Sequence, residues 1–519
     1  MDWSFAFPSQ RMPVLAENVV ATSQPLAAQA GLMALRDGGS AVDAALAAAI
    51  TLTVVEPTAN GIGGDLFALV WQDGALHGLN ATGRSPQSLD AAAILRAGQM
   101  PQVGWWPVTV PGAPSGWKAL SDRFGRIDFP RLFTEAIRYA RQGFAVSPQT
   151  AHAWAISAKR FQGFAAFAQT FMPRGRAPRV GERFACPAQA ATLEQIAATG
   201  ADAFYTGPLA DAMVSTAMAE GGALRHADLA EHAVKIIEPL SVAYRKRWRL
   251  HELPPNGQGI AALIALGILD RLPPGTHAQI EAMKLGFADA HRYVADPDHL
   301  DMDPTMLLSP AYLDERAAMV RPDMAQDYGH GQPRPGGTVL VTAADSNGQM
   351  VTLIQSNYMG FGSGVVIPGT GIAMQNRGCG FSLEDGHPNR VGGGKRPYHT
   401  IIPGFLTCDG APIAAFGVMG GLMQPQGHLQ VACRMIDEDH NPQSALDAPR
   451  WRVSKGLNVR VEPGWPDDVL DDLRGKGHQI TVTAKQTVHF GGGQAIWRMP
   501  SGCYIGASDL RRDGQAVGF

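Results

Sequence analysis

The chain has 519 residues, 45% of them hydrophobic and 17% charged, with a net charge of −3. That balance fits a globular protein with a large core and excludes a disordered or fibrous one. No basic excess or polybasic run is present, so nucleic acid and anionic membrane are excluded as partners, and a small anionic substrate has to be met by a few local cations.

The length predicts about two to four domain-sized units. The five cysteines, Cys186, Cys379, Cys408, Cys433 and Cys503, are widely spaced with no C-x-x-C pair. A disulfide framework and a zinc ribbon are both excluded, and free thiols are expected. Residues 1–20 lack a basic segment followed by an apolar run. No apolar stretch reaches about 18 residues, so a cytoplasmic protein is expected.

In chain order, residues 40–50 carry a capping pattern, Ser40 with Asp43, ahead of a run of alanines. This predicts a slim helix able to lie close to a sheet. Gly61, Gly63 and Gly64 then punctuate the chain before a strand over 67–71. They are read either as a tight loop or as a site of close backbone approach. Residues 130–330 are rich in apolar residues at three- and four-residue spacing, which predicts helices, with one strand over 240–249. The acidic run 296–303 lacks the glycine and terminal glutamate of a calcium loop and reads as a surface turn.

From Gln332 the texture changes. The Pro- and Gly-rich stretch 332–337 reads as a linker. Short strand-like runs follow, with helices near 427–437 and 467–476, so the C-terminal third is β-dominated. The natural boundary falls at the Gly337–Thr338 bond, dividing the chain into 1–337 and 338–519.

That bond also has chemical promise. A threonine hydroxyl is a weak nucleophile and needs a base. If the bond before Thr338 is cut, the freed α-amine has a reference pKa of about 7.7–8.0 and can take the hydroxyl proton. The same hydroxyl can make the cut by attacking the Gly337 carbonyl, where glycine offers no Cβ to obstruct it. Gly420 and Gly421, after a strand-like run, read either as a bend or as backbone N–H groups turned to one point, as an oxyanion hole requires.

These features resemble the γ-glutamyltransferase family. The likeness runs in order through nearly the whole chain, in segments 38–71, 80–86, 108–117, 200–207, 221–232, 252–259, 336–356, 361–376, 393–403, 417–421, 446–453 and 477–519. The resemblance implies an α+β fold, the four-layer αββα sandwich of the N-terminal-nucleophile hydrolases. It implies autocleavage into a large subunit, 1–337, and a small one, 338–519, which stay together as a heterodimer open to further pairing. Thr338 falls on the family's nucleophile, Ser356 on a hydroxyl that assists the new amine, and Gly420 and Gly421 on the oxyanion-hole glycines.

The departures concern substrate. The family's N-N-Q/E-x-x-D segment, which holds a substrate ammonium, here runs Gln375-Asn376-Arg377-Gly378-Cys379-Gly380. Arg377 stands at the amide position and Gly380 at the acidic one. The family's serine pair is replaced by His399 and Thr400, and its carboxylate-binding arginine by Thr82, with Arg84 two residues on. By charge, such a pocket suits an anion without an ammonium. The pattern is similar to the family's small-amide branch, with oxamate the best-fitting substrate. Arg84 or Arg377 would grip its carboxylate. His399 either touches that carboxylate or serves as a core hydrogen-bonder. Neither cofactor nor metal is expected, and no H-E-x-x-H pattern is present. The alternatives are a γ-glutamyltransferase or glutathione hydrolase, and an acylase of larger amides.

Overall fold

The computed structural model of the chain describes residues 10–328 and 337–519; the rest of the predicted linker, 332–336, lies outside them. Fourteen strands form the two main sheets. They are β1 (Val14–Ala16), β2 (Val19–Thr22), β3 (Asp65–Gln72), β4 (Ala75–Ala81), β5 (Lys235–Ile237), β6 (Leu240–Tyr244), β7 (Trp248–Glu252), β8 (Gly337–Ala344), β9 (Met350–Tyr358), β10 (Gly404–Cys408), β11 (Ala411–Met419), β12 (Gly492–Arg498), β13 (Tyr504–Ser508) and β14 (Gln515–Gly518). One sheet has the order β14-β2-β8-β9-β3-β4-β5 and the other β1-β13-β12-β11-β10-β7-β6. Every neighbouring pair in both is antiparallel. Each sheet draws strands from before and after the Gly337–Thr338 bond.

Period-two alternation sorts the side chains into layers. On β8, Val339, Val341 and Ala343 face helices α1 (Pro25–Arg36) and α2 (Ala41–Val55). Leu340 and Ala344 face the second sheet, meeting Phe405, Ala415, Met419 and Ile496. On the far side of that sheet, Leu250, Ala414, Phe416 and Val418 pack on α3 (Gly259–Leu269), α4 (Thr276–Tyr293) and α5 (Met423–Ile436). Three apolar interfaces thus separate four layers, αββα. Thr338 shares the parity of Leu340 and lies between the sheets.

The expected slim helix is α2, buried along its whole length, with the Ser40–Asp43 capping box formed. Its first N–H groups, Ala41 and Val42, donate to Asp345 at 2.9 Å and Gln349 at 2.8 Å in the β8–β9 turn. This fixes the hairpin that carries Thr338 and Ser356. The five cysteines are free. No helix among the described residues is long and apolar enough to cross a membrane.

Two expectations are corrected. The single strand over 240–249 is a hairpin of β6 and β7, which turns where Arg245 and Lys246 adopt positive φ. The acidic run does not simply turn at the surface. Asp296 is fully buried, accepting hydrogen bonds from the Arg84 guanidinium at 3.0 Å and the Arg396 amide at 2.7 Å. A buried carboxylate needs such partners.

Candidate active site

Thr338 sits on a local irregularity of the ladder. Gly337 pairs with Tyr358 and Val339 with Gln355, so Ser356 and Asn357 of β9 stand opposite Thr338 alone. A bulge of this kind twists the strand and re-aims side chains. Here it turns the Thr338 hydroxyl back to the Gly337 carbonyl oxygen at 2.8 Å, while Ser356 Oγ donates to the same oxygen at 2.6 Å. Ser356 Oγ in turn accepts from the Tyr358 amide at 2.8 Å and from Arg377 Nη2 at 3.1 Å. A guanidinium only donates, so both Ser356 lone pairs are occupied and its one hydrogen is left for the Gly337 carbonyl.

Arg377 is fully buried. Its Nη1 donates to Thr400 Oγ1 at 2.9 Å, and its guanidinium lies 4.3 Å from the Tyr358 ring centroid. Burial pulls its pKa down to about 10, against the attraction of Asp65. Asp65, at the start of β3, is the register partner of Ser356. Its carboxylate accepts the Gly83 and Gly112 amides at 3.3 and 3.1 Å and pairs with His399 Nε2 at 3.1 Å. Burial lifts Asp65 to about 7, with Arg377 pulling the other way. Burial, then Arg377, holds His399 well below the ordinary histidine range.

The glycine pair lies between β11 and α5, at φ 124° for Gly420 and 62° for Gly421. Among the described residues no acceptor takes either N–H group. Both precede the α5 N-terminus, whose dipole favours negative charge. Two glutamines that sequence reasoning missed organise this corner. Gln258 Nε2 donates to Thr400 O at 2.6 Å and Gly421 O at 2.9 Å, and its Oε1 accepts from Tyr398 at 3.0 Å. Gln424 Oε1 accepts the Ile402 amide at 2.9 Å, and its Nε2 reaches 3.5 Å from Thr338 Oγ1.

A cavity of about 400 Å³ opens beside the cluster, walled by Tyr358, Gly380, Phe381, Tyr398, Thr400 and Leu422 among others; it reaches the cluster through Tyr358 and Thr400, while Thr338, Gly420 and Gly421 do not line it. Of the substrate-side candidates, Thr400 faces this cavity. Arg377 does not; it stands behind Thr400 and Tyr358. His399 is turned away, with Nε2 on Asp65 and Nδ1 accepting the Ile401 amide at 3.3 Å, so it is a core hydrogen-bonder and not a cavity residue. Arg84 is not brought to Thr338 either. It binds Asp296, Asp298 and the Gly394 carbonyl. At Gly380 a Cβ would meet Tyr398 O at 2.3 Å, so the acidic residue of the family pattern has no room on this backbone.

One group of described residues, His277, Glu281 and His478, brings three ligand atoms within 4.8 Å of one another. The histidines are already bonded to each other at 2.8 Å and Lys284 Nζ lies 2.7 Å from Glu281 Oε1. The ammonium thus supplies the cation that the cluster's negative charge calls for.

The gamma-glutamyltranspeptidase family description matches residues 27–519. The chain belongs to the gamma-glutamyltranspeptidase family. It is 35% identical to the oxamate amidohydrolase proenzyme of Klebsiella pneumoniae subsp. pneumoniae, over 95% of this chain and 97% of that one. It is 32% identical to the glutathione hydrolase-like YwrD proenzyme of Bacillus subtilis, over 97% and 98%. Its fold matches the crystal structure of cephalosporin acylase from Bacillus halodurans with a TM-score of 0.96 and 47% identity, covering 100% of this chain and 99% of that one. The four layers are accordingly the N-terminal-nucleophile hydrolase fold, and the chain is a hydrolase acting on amide bonds.

Proposed function

We propose that the chain is a self-processing amidohydrolase that cleaves itself between Gly337 and Thr338 and then hydrolyses an anionic carboxamide, oxamate being the simplest. The observation that carries this is the Gly337 carbonyl, contacted by the Thr338 hydroxyl and by Ser356 together. Thr338 Oγ attacks the Gly337 carbonyl carbon while Ser356 stabilises the developing oxyanion. The C–N bond breaks, the Thr338 nitrogen takes the proton, and the resulting ester is opened by water. The fragments, 1–337 and 338–519, stay together as a heterodimer because each supplies strands to both sheets.

In turnover, the freed Thr338 amine accepts the Oγ proton as Oγ attacks the carboxamide carbon. The Gly420 and Gly421 N–H groups receive the oxyanion. The protonated amine then passes its proton to the leaving ammonia, and water releases the acyl group as a second carboxylate. Specificity for an acyl group without an ammonium rests on Gly380, which admits no carboxylate side chain, and on the Arg377 charge behind Thr400. Since Arg377 donates to Thr400 Oγ1, the Thr400 hydrogen is free to meet a substrate carboxylate. Five free thiols suit a reducing cytoplasm.

The test is a denaturing gel with intact mass of the purified protein, followed by ammonia release from oxamate and colour release from a γ-glutamyl anilide. Cleavage with ammonia release supports the reading; turnover of the anilide alone overturns the substrate assignment. A second reading, an acylase of larger amides, is favoured by one observation. The cavity of about 400 Å³ falls within the range of pockets that take drug-sized ligands and is far larger than oxamate needs.

A further inference from the structure

Arg377 governs two hydroxyls at once. It fills a lone pair of Ser356 and one of Thr400, and so limits where both hydrogens can point. A fully buried guanidinium needs a counter-charge to stay in place. The residue on hand is Asp65, directly across the ladder from Ser356. The parallel bridge Gly63–Met374, with the Gln375 amide donating to Gly63 O at 3.0 Å, lays the start of β3 alongside the segment leading into Arg377. Asp65 is itself pinned by the Gly83 and Gly112 amides and by His399.

We infer that Asp65 is a positioning residue whose carboxylate seats Arg377 and thereby aims the Ser356 hydroxyl at the Gly337 carbonyl and the Thr400 hydroxyl at the cavity. This rests on the self-processing reading above. Asp65 touches neither the scissile bond nor the cavity wall; its own hydrogen bonds go to Gly83, Gly112 and His399, and it acts on Arg377 through charge. The other charged or titratable groups it influences or feels are His399, Arg396 and Tyr205.

The experiment follows processing of newly made chains on a denaturing gel for wild type, D65N, R377Q and the double variant, with kcat and KM of the mature forms. Asp65→Asn keeps the shape and removes the charge. It is expected to slow cleavage roughly ten- to a hundredfold, Arg377→Gln similarly, and the double variant no more than Arg377→Gln alone. D65N cleaving at the wild-type rate, or a double defect equal to the product of the singles, overturns the inference. Should D65N fail to fold, the double variant decides: removing both charges restores a soluble protein if Asp65 serves Arg377. If neither folds, Asp65 acts through the Gly83 and Gly112 amides and the inference falls. An uncut wild-type chain would overturn the processing reading, and this inference with it.

Discussion

Ser356 gives its only hydroxyl hydrogen to the Gly337 carbonyl across 2.6 Å, because Arg377 and the Tyr358 amide already hold its lone pairs. The donor is therefore in place before any charge develops on that oxygen. Removing one preorganised donor of this kind costs about a hundredfold or more in rate. Ser356→Ala should slow self-cleavage by about that factor, and Thr338→Ala should leave an intact chain of 55.1 kDa. Both are read from gel and mass; two fragments from the Thr338→Ala chain would refute the nucleophile.

Restoring the family's acidic residue should fail here. Gly380→Asp places a Cβ 2.3 Å from Tyr398 O, so the backbone must shift, at about 1–3 kcal/mol. The expected outcome is a lower melting temperature and no gain of γ-glutamyl anilide turnover. A variant that gained that activity at unchanged stability would show that the ammonium site is within easy reach.

Gln258 ties Tyr398, Thr400 and Gly421 into one corner. Gln258→Leu keeps much of the volume and loses all three hydrogen bonds. Gly421, at φ 62°, is then free to rotate its N–H away from the reacting oxygen. A fall in kcat of about tenfold or more is expected, larger than the change in KM, and steady-state kinetics on the mature enzyme measures it.

The His277–His478 pair predicts a pH dependence of stability. Burial, then the Lys284 ammonium, holds His478 down to about 3, against about 6.5 when unfolded. The unfolded chain gains a proton that the folded one refuses. The stability is therefore fully present above about 6.5 and is lost as pH falls toward 3. At pH 5 the loss is about 2 kcal/mol. Urea midpoints at pH 7 and pH 5 should differ less in His478→Gln than in wild type by about that amount; an identical pH effect in both would remove His478 from the account.

Sequence reasoning reached what local pattern encodes. The capping box of α2, the strand after Gly64 and the position of Thr338 at the head of a β-dominated segment all follow from spacing. Pairings between distant residues were not readable. Arg84 looks like a free cation until Asp296, 212 residues away, is folded against it. His399 and Thr400 are neighbours in sequence, yet extended chain sends adjacent side chains to opposite sides, so only Thr400 meets the cavity. Asp65 did leave a trace, as the one charged residue of the strand it opens. Its importance comes from facing Ser356 across the ladder, which no spacing rule reports.

The sharing of both sheets by the stretches on either side of residue 337 would make the proposed cut invisible from outside. A column or a scattering curve would register one particle of unchanged size before and after it. Only unfolding would then let the halves part, since neither stretch carries a complete set of strand neighbours alone.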